Sequence, residues 1–523
     1  MNAARFQIAV IGSGFAGSLM AIIVHRLGLS TVLIERGRHP RFAIGESSTP
    51  LANLLLEEIA LEYDLPFVRP LCKWGTWQRE LPQLACGIKR GFTFYHHEWG
   101  RPFGPDHDRQ RQLLVGASPN EEIADTHWYR PDFDNYLVTR AQKLGVTYCD
   151  ETELSSISDE SGAMRLEGKR RGKPIRIRAE FVIDATGPRG CLFRAFRLPE
   201  KRFAGFPRTQ ALFTHFREVS SLPDDFTNER TPPYPPEQAA VHHVFPGGWI
   251  WVLKFNNGIT SAGVAATDRI ARDLNFSSGE CAWQRLLERL PSIAEIFGRA
   301  KRIVPFVASP SLAFRAGAAC GSRWTLLPSA AGFVDPLLST GFPLTLLGIA
   351  RLGRLLRDHW QRPSFRSELA AYSRLTLLEV DAAARLVGAL YATMDRFDLF
   401  KELTLLYFAA ASFSETSRRL GKPHLGDAFL LCRHPVFDRH VRKFCAAATS
   451  RQLSVRQSAQ LSREIRKAIE PFDVAGLTDT ERHPWYPALT DDLFRGAPKW
   501  GASQEEIAEL LKRCGLNKSE QPT

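Results

Sequence analysis

No Cys-x-x-Cys pair occurs in this chain, and its nine cysteines stand far apart along 523 residues. An odd number without motif spacing excludes a zinc ribbon and a disulfide frame, so reduced thiols are expected. Missing too is an uninterrupted apolar run of about 18 residues, which a membrane span needs. A charged-then-apolar leader is also lacking ahead of the first strand. The expectation is a cytoplasmic protein with no membrane partner and no metal. Nor does any nucleic-acid-binding module accompany the formal charge of +12, whose densest patch is Lys169-Arg170-Arg171-Gly172-Lys173. Such an excess reads first as a solvated surface, and second as an attraction for anionic substrates or an acidic carrier protein. What the chain has is bulk: with 44% hydrophobic residues it can bury a large core, in roughly two or three domains.

The organising stretch is Ile8 to Glu35. A β-branched run ends at Gly12, the turn Gly12-x-Gly14-x-x-Gly17 follows, then an apolar helix and a second strand, Thr31 to Ile34, closing on Glu35. Strand, glycine turn, helix, strand and acid in that order predict a dinucleotide-binding βαβ unit. Gly12 allows the tight turn, Gly14 lets a pyrophosphate approach the backbone at the helix N-terminus, and Gly17 lets helix and sheet lie close. Glu35 is placed to accept from a ribose hydroxyl. Further on, Phe181-Val182-Ile183-Asp184-Ala185-Thr186-Gly187 is an apolar strand ending in small residues that permit close backbone approach. A third such segment, Ser329 to Pro343, leads into an apolar helix reaching about Arg357. Its amides near Thr340 and Gly341 form a positive helix end that can hold an anion or the polar rim of a flavin.

Between these lie segments that are less explicit. Gly45-Glu46-Ser47-Ser48-Thr49-Pro50 reads as a loop capped by Thr49 and Pro50 ahead of a helix. From Cys72 to His97 the aromatic-rich chain reads as strands. Alternation there puts Ile88, Arg90, Phe92 and Phe94 on one face and Lys89, Gly91, Thr93 and Tyr95 on the other. Arg101 to Thr126 reads as a mobile surface loop, and a helix is expected near Asp132, just after Arg130. Arg170 to Lys173 form a hairpin turn, and residues 201–320 read mainly as strands. Trp249 and Trp251 share one strand face, where packing is the plainer reading. Beyond about residue 360 the periodicity is helical, with no motif to which chemistry attaches.

The three cofactor-type segments look like the discontinuous FAD domain of the flavoprotein monooxygenase fold. Within that fold, Gly45 to Pro50, the stretch Gly87-Ile88-Lys89-Arg90-Gly91-Phe92, Gly248-Trp249-Ile250-Trp251-Val252-Leu253 and Phe333-Val334-Asp335-Pro336-Leu337-Leu338-Ser339-Thr340-Gly341 together resemble the flavin-dependent halogenases, across roughly residues 5–360. The resemblance implies an α/β chain with a Rossmann-type FAD domain and a substrate-domain β-sheet. The monooxygenase-like core would span 1–360, with FAD-binding parts about 1–70, 125–200 and 320–360 and a substrate sheet about 71–124 and 201–319. A helical C-terminal region would occupy 361–523.

It also implies the chemistry. FADH2 from a separate flavin reductase reacts with O2 to give a flavin hydroperoxide, and chloride or bromide held near the amides of Thr340 and Gly341 attacks it to form hypohalous acid. Trp249 and Trp251 wall the flavin from the substrate, and Lys89 passes the oxidised halogen to a small electron-rich aromatic, free or bound to a carrier protein. The resemblance assigns the cofactor to Gly12, Gly14, Phe15, Ala16, Gly17, Glu35, Arg36, Gly45, Glu46, Ser47, Ser48, Arg130, Asp335, Gly341 and Phe342. Two departures stand out. Leu253-Lys254 replaces the family's Ile-Pro, and Leu338 stands where the indole-acting branch has a glutamate. Without that carboxylate a self-activating phenol or pyrrole is the expected substrate. The alternatives are an aromatic hydroxylase, a prenyl-chain reductase or another FAD oxidoreductase and, of another class, a non-catalytic flavin-binding protein.

Overall fold

The computed structural model describes residues 4–104, 108–160, 162–222, 231–450 and 453–516. Its first strand, Ala4–Ile11, carries Ile8, Ala9, Val10 and Ile11, all buried. A run apolar on both faces belongs in the middle of a parallel sheet. Thr31–Ile34 flanks it on one side and Lys173–Asp184 on the other, both parallel. Thr147–Cys149 pairs beyond Thr31–Ile34, and Trp324–Leu326 pairs with the end of Lys173–Asp184. The hairpin turning at Arg171-Gly172 adds two antiparallel strands, Ala163–Arg170 and Thr152–Glu160, completing seven. The helix Phe15–Arg26 packs against the helices Arg130–Lys143 and Gly341–His359.

A second, nine-stranded sheet is built around Gly91–His96, Ala240–Phe245, Gly248–Lys254, Thr260–Thr267 and Thr209–Arg217. Two layers cover it. On one side Trp283, Leu286, Ile293 and Phe297 close over Leu212, Ile250 and Val264. On the other, Tyr407, Phe408 and Phe400 of the helix Phe397–Arg419 meet Phe92 and Phe94 edge-on. A short two-stranded sheet, Cys86–Lys89 against Asp125–Trp128, stands apart from both. The described residues beyond 360 are mostly helical, including Phe365–Tyr391, Phe397–Arg419, Pro435–Thr449 and Val455–Ile469. They also return one strand, Trp485–Tyr486, to the edge of the large sheet. Among the described residues no helix is long and apolar enough to cross a membrane, and no group of three or more His, Cys, Asp or Glu is placed to hold a metal.

Four expectations need correction. Trp74–Glu80 is a helix, because Trp77 and Leu81, four apart, bury one face; aromatic content had favoured strands. The supposed surface loop of residues 101–126 contains the buried strand Gln112–Gly116 and the start of Asp125–Trp128, with Pro105 to His107 outside the described residues. The helix expected near Asp132 begins at Arg130, with Pro131 in its first turn. Among the described residues between 201 and 320, the strands are joined by three α-helices, Asp268–Asp273, Glu280–Arg289 and Pro291–Phe297. The i, i+1, i+4, i+5 pattern of Ala282, Trp283, Leu286 and Leu287 is a helical stripe that the surrounding strand signals obscured.

Candidate active site

Lys89 ends the strand Cys86–Lys89 and is wholly buried. The chain then breaks pairing. The Arg90 amide donates to the Gln238 carbonyl at 2.6 Å, and Gly91–His96 joins the other sheet. Alternation therefore does not carry through Arg90, and the expected separation of Lys89 from Phe92 fails: the ammonium lies 3.8 Å from the centre of the Phe92 ring. Nor does Gly91 leave open space; a Cβ there would stand 2.3 Å from the Val115 carbonyl oxygen.

Lys89 Nζ donates to Ser47 Oγ at 2.9 Å and to the Ser48 carbonyl at 2.5 Å, with Ser339 Oγ at 3.5 Å. Two segments distant from it in sequence thus converge on this ammonium. Burial pushes its pKa well down, and the nearby Asp125 carboxylate opposes that shift. Desolvating a cation costs free energy, and these acceptors and the aromatic face offset only part of that cost. Such a group is a candidate for proton transfer near neutral pH.

Ser339 and Leu338 both adopt left-handed conformations, with φ of 53° and 64°. For side-chain-bearing residues this is strained backbone, of the kind that collects at functional sites. The turn delivers Thr340 and Gly341 to the start of the helix Gly341–His359, whose first amides have no carbonyl of their own helix to bond. A Cβ on Gly341 would meet nothing within 4 Å. The positive helix end therefore faces open space.

The two indoles lie on one face of Gly248–Lys254, with ring centres 5.7 Å apart and tilted by 49°. Trp249 Nε1 donates to Asp335 Oδ1 at 3.1 Å, which also accepts from the Leu337 amide, and the Tyr391 hydroxyl donates to Asp335 Oδ2 at 2.8 Å. Asp335 therefore spends its lone pairs fixing one tryptophan to the turn before Thr340. Burial lifts its pKa to about 6. Asp335→Ala leaves three buried donors unmatched and should cost roughly 2–4 kcal/mol of stability, read by thermal melting; Asp335→Asn, which keeps an acceptor for Trp249 and Leu337, should lose less. Trp249 also stacks on His242, ring centres 5.1 Å apart, and His242 on Phe94 at 4.4 Å, so an aromatic column runs from the indole toward the ring under Lys89. Burial and the Lys89 charge push His242 down to about 3, so it is neutral. Lys254 lies at the end of the tryptophan strand and donates to Ser221 Oγ at 2.6 Å; it is not among the partners of Lys89.

At the βαβ turn, Gly12 has φ of 95°, and a Cβ there would sit 2.8 Å from the Ala185 carbonyl oxygen; one on Gly17 would sit 1.8 Å from that of Gly12. These two glycines are fixed by packing. Gly14 and Gly187 are open instead. A Cβ on Gly14 meets only side-chain atoms of Arg130, Asp134 and Arg41, at 3.4 Å or more, and one on Gly187 meets nothing within 4 Å. Glu35 accepts from the amides of Ser13 at 2.9 Å and Gly37 at 2.8 Å. Burial alone would raise its pKa, but those amides and Arg41 bring it below the usual value. An open glycine cradle flanked by Arg41 and Arg130, with an ionised carboxylate at the strand end, fits the pyrophosphate and ribose of FAD.

The other residues assigned to the cofactor divide. Arg130 donates to the carbonyls of Ile44 and Gly45 and to Asp134, so it locks the Gly45 loop to its helix. The Phe15 and Phe342 rings pack on Trp128, with centres at 5.5 and 4.2 Å, and the Phe15 amide donates to Asp134. Ala16 is buried in its helix, and Arg36 is exposed. Glu46 accepts from His215 Nε2 at 2.9 Å, leaving Oε2 buried without a partner. Ser47 and Ser48 serve Lys89.

The Phe92 ring that the Lys89 ammonium contacts also borders a cavity of about 210 Å³. Phe92 and Asp125 form part of its wall, with Thr49 and Pro343 from the starts of two helices. Tyr407, Phe408 and Leu477 come from the C-terminal region, which therefore lines the cavity even though no motif marked it. Sequence reasoning also missed Arg41, Asn53 and Asp125. Asp125 is the antiparallel register partner of Lys89, a relation that no local pattern reveals.

Comparison with known proteins gives consistent results. The tryptophan halogenase family matches residues 126–402. Monodechloroaminopyrrolnitrin halogenase PrnC of Pseudomonas fluorescens is 31% identical over 68% of this chain, and the match spans 62% of that protein. Tetracycline 7-halogenase of Kitasatospora aureofaciens is 27% identical over 97% of this chain and 95% of its own length. The crystal structure of halogenase PltM in complex with phloroglucinol and FAD superposes with a TM-score of 0.80, at 24% identity, over 92% of this chain and 99% of that one. At that identity the likeness speaks to the fold.

Proposed function

Because the chain belongs to the tryptophan halogenase family of flavin-dependent enzymes, we propose that it halogenates a phenolic or pyrrolic ring through Lys89. The observation that carries this reading is the buried Lys89 ammonium, held by Ser47 and Ser48 against the Phe92 ring, which in turn lines a cavity walled also by Tyr407 and Phe408. Gly12, Gly14, Gly17, Glu35, Arg41, Arg130 and the Gly187 turn would hold FAD. Reduced flavin with O2 supplies the oxidising equivalent that turns halide into hypohalous acid.

The chain's own residues do the rest. Amides at Thr340 and Gly341 draw the halide to the positive helix end. Trp249, braced by Asp335, and Trp251, braced by Ser261, exclude water and substrate from that side. Lys89 donates a hydrogen bond to the oxygen of hypohalous acid, so the O–X bond breaks toward water while the ring attacks the halogen. Leu338 provides no carboxylate, so the ring's own oxygen or nitrogen lone pair carries the developing charge. Substrate carried on a carrier protein suits the relative named 1H-pyrrole-2-carbonyl-[peptidyl-carrier protein] chlorinase, 24% identical.

The test is incubation with reduced FAD, O2 and chloride or bromide against a panel of phenols and pyrroles, read by mass spectrometry. Products with the halogen isotope pattern are expected. Halide-independent oxygen insertion would contradict the reading and favour an aromatic hydroxylase.

A further inference from the structure

Position 338 offers no base, yet a carboxylate, Asp125, stands in the wall of the cavity that Phe92 borders. Asp125 begins the strand Asp125–Trp128 and pairs in register with Lys89, so both side chains leave the short sheet on one face. Its Oδ1 accepts from Asn53 Nδ2 at 2.9 Å, while Oδ2 is buried with no partner. The neighbouring charged and titratable groups are Lys89 across the strand pair, Glu415 and Arg419 with Tyr407 on the helix Phe397–Arg419, and His127 on its own strand. Glu415 and Arg419 pair with each other. Asp125 is thus the carboxylate of the cavity wall with a buried lone pair to spare, next to the ammonium assigned to halogen transfer.

We infer that Asp125 is the group that accepts the substrate's own O–H proton, so that the enzyme selects aromatic rings bearing an ionisable hydroxyl. This rests on the halogenase reading above. As the ring π pair forms the C–X bond, the O–X bond of hypohalous acid breaks, and its oxygen takes a proton from the Lys89 ammonium to leave as water. Asp125 takes the hydroxyl proton in the same step, so the ring becomes a neutral dienone and not an oxygen-protonated cation. The Lys89 amine then removes the proton from the halogenated carbon, and Asp125 returns its proton to the oxygen. Both residues end as they began, and hypohalous acid plus phenol has become halophenol plus water. Burial raises the pKa of Asp125 and so makes it a competent acceptor near neutral pH. A second carboxylate at position 338 would be redundant.

The test compares a phenol with its methyl ether in the parent enzyme and in Asp125→Asn. Each rate is divided by that protein's own hypohalous acid, trapped with a diketone scavenger in a parallel reaction. Loss of the acceptor should cut the normalised rate on the phenol by about a hundredfold or more beyond whatever it costs on the ether, which has no proton to give and so reports only what removing the Asp125 charge does to the Lys89 ammonium. Equal penalties on both substrates, or none on either, overturn the assignment and leave Asp125 a packing residue. If the parent traps no hypohalous acid, the halogenase reading fails and takes this one with it. Asp125→Ser, which keeps a hydroxyl toward Asn53, provides the same contrast should the amide variant fold poorly.

Discussion

Lys89→Ala should lose substrate halogenation by about a hundred- to ten-thousand-fold, the range that removal of a positioned proton donor produces, while binding flavin as the parent does. The expected size follows from the site. The ammonium is wholly buried and bonded to Ser47 and Ser48, and no other lysine or arginine lies among its immediate partners to substitute for it. None of its hydrogen-bond partners belongs to the cofactor cradle at Gly12, Gly14 and Gly187, which is why flavin content should not change. Product yield by mass spectrometry and flavin absorbance of the purified protein check the two halves. Halogenation at the parental rate would remove Lys89 from the chemistry, and loss of flavin would show that it braces the fold around Ser47 and Ser48.

The second large effect is expected at Gly17. A Cβ there would lie 1.8 Å from the Gly12 carbonyl oxygen and 3.0 Å from the Ala185 side chain. Helix, first strand and the Asp184 turn meet at this point, so nothing can give way singly. Gly17→Val should therefore cost about 3 kcal/mol or more, a large part of a typical stability of roughly 5–15 kcal/mol, and yield little folded, flavin-loaded protein. Gly14 behaves differently because its neighbours are side chains at 3.4 Å and beyond. Gly14→Val should fold and melt near the parent yet bind flavin at least about tenfold more weakly, some 1.4 kcal/mol. Yellow protein of parental flavin content from either variant would contradict the cradle.

The difference between these glycines also shows what the sequence could reveal. The βαβ unit was legible because its logic is local: β-branched strand, glycines at fixed spacing, apolar helix and Glu35 lie within 30 consecutive residues. The hairpin at Arg171-Gly172 and the shared face of Trp249 and Trp251 were legible for the same reason. Lys89 was singled out by resemblance alone, and its setting was not legible. Parity through Arg90 failed because a hydrogen bond to Gln238, far along the chain, ends one strand and begins another. Asp125 lay inside a stretch that reads as loop, and its importance comes from strand register. The cavity needs Tyr407 and Phe408 from a helix whose sequence shows only an apolar stripe. Tertiary contact, not propensity, decides each of these.

The central claim is that oxidised halogen is made on one side of the tryptophans and delivered on the other by Lys89. Trapping hypohalous acid with a diketone scavenger, during turnover of parent and Lys89→Ala under reduced FAD, O2 and bromide, tests it most directly. Halogenated scavenger should form in the variant while substrate emerges unmodified, because oxidation of halide is intact and only its transfer is lost. A variant that traps no halogen, or one that still halogenates substrate as fast as the parent, contradicts the account.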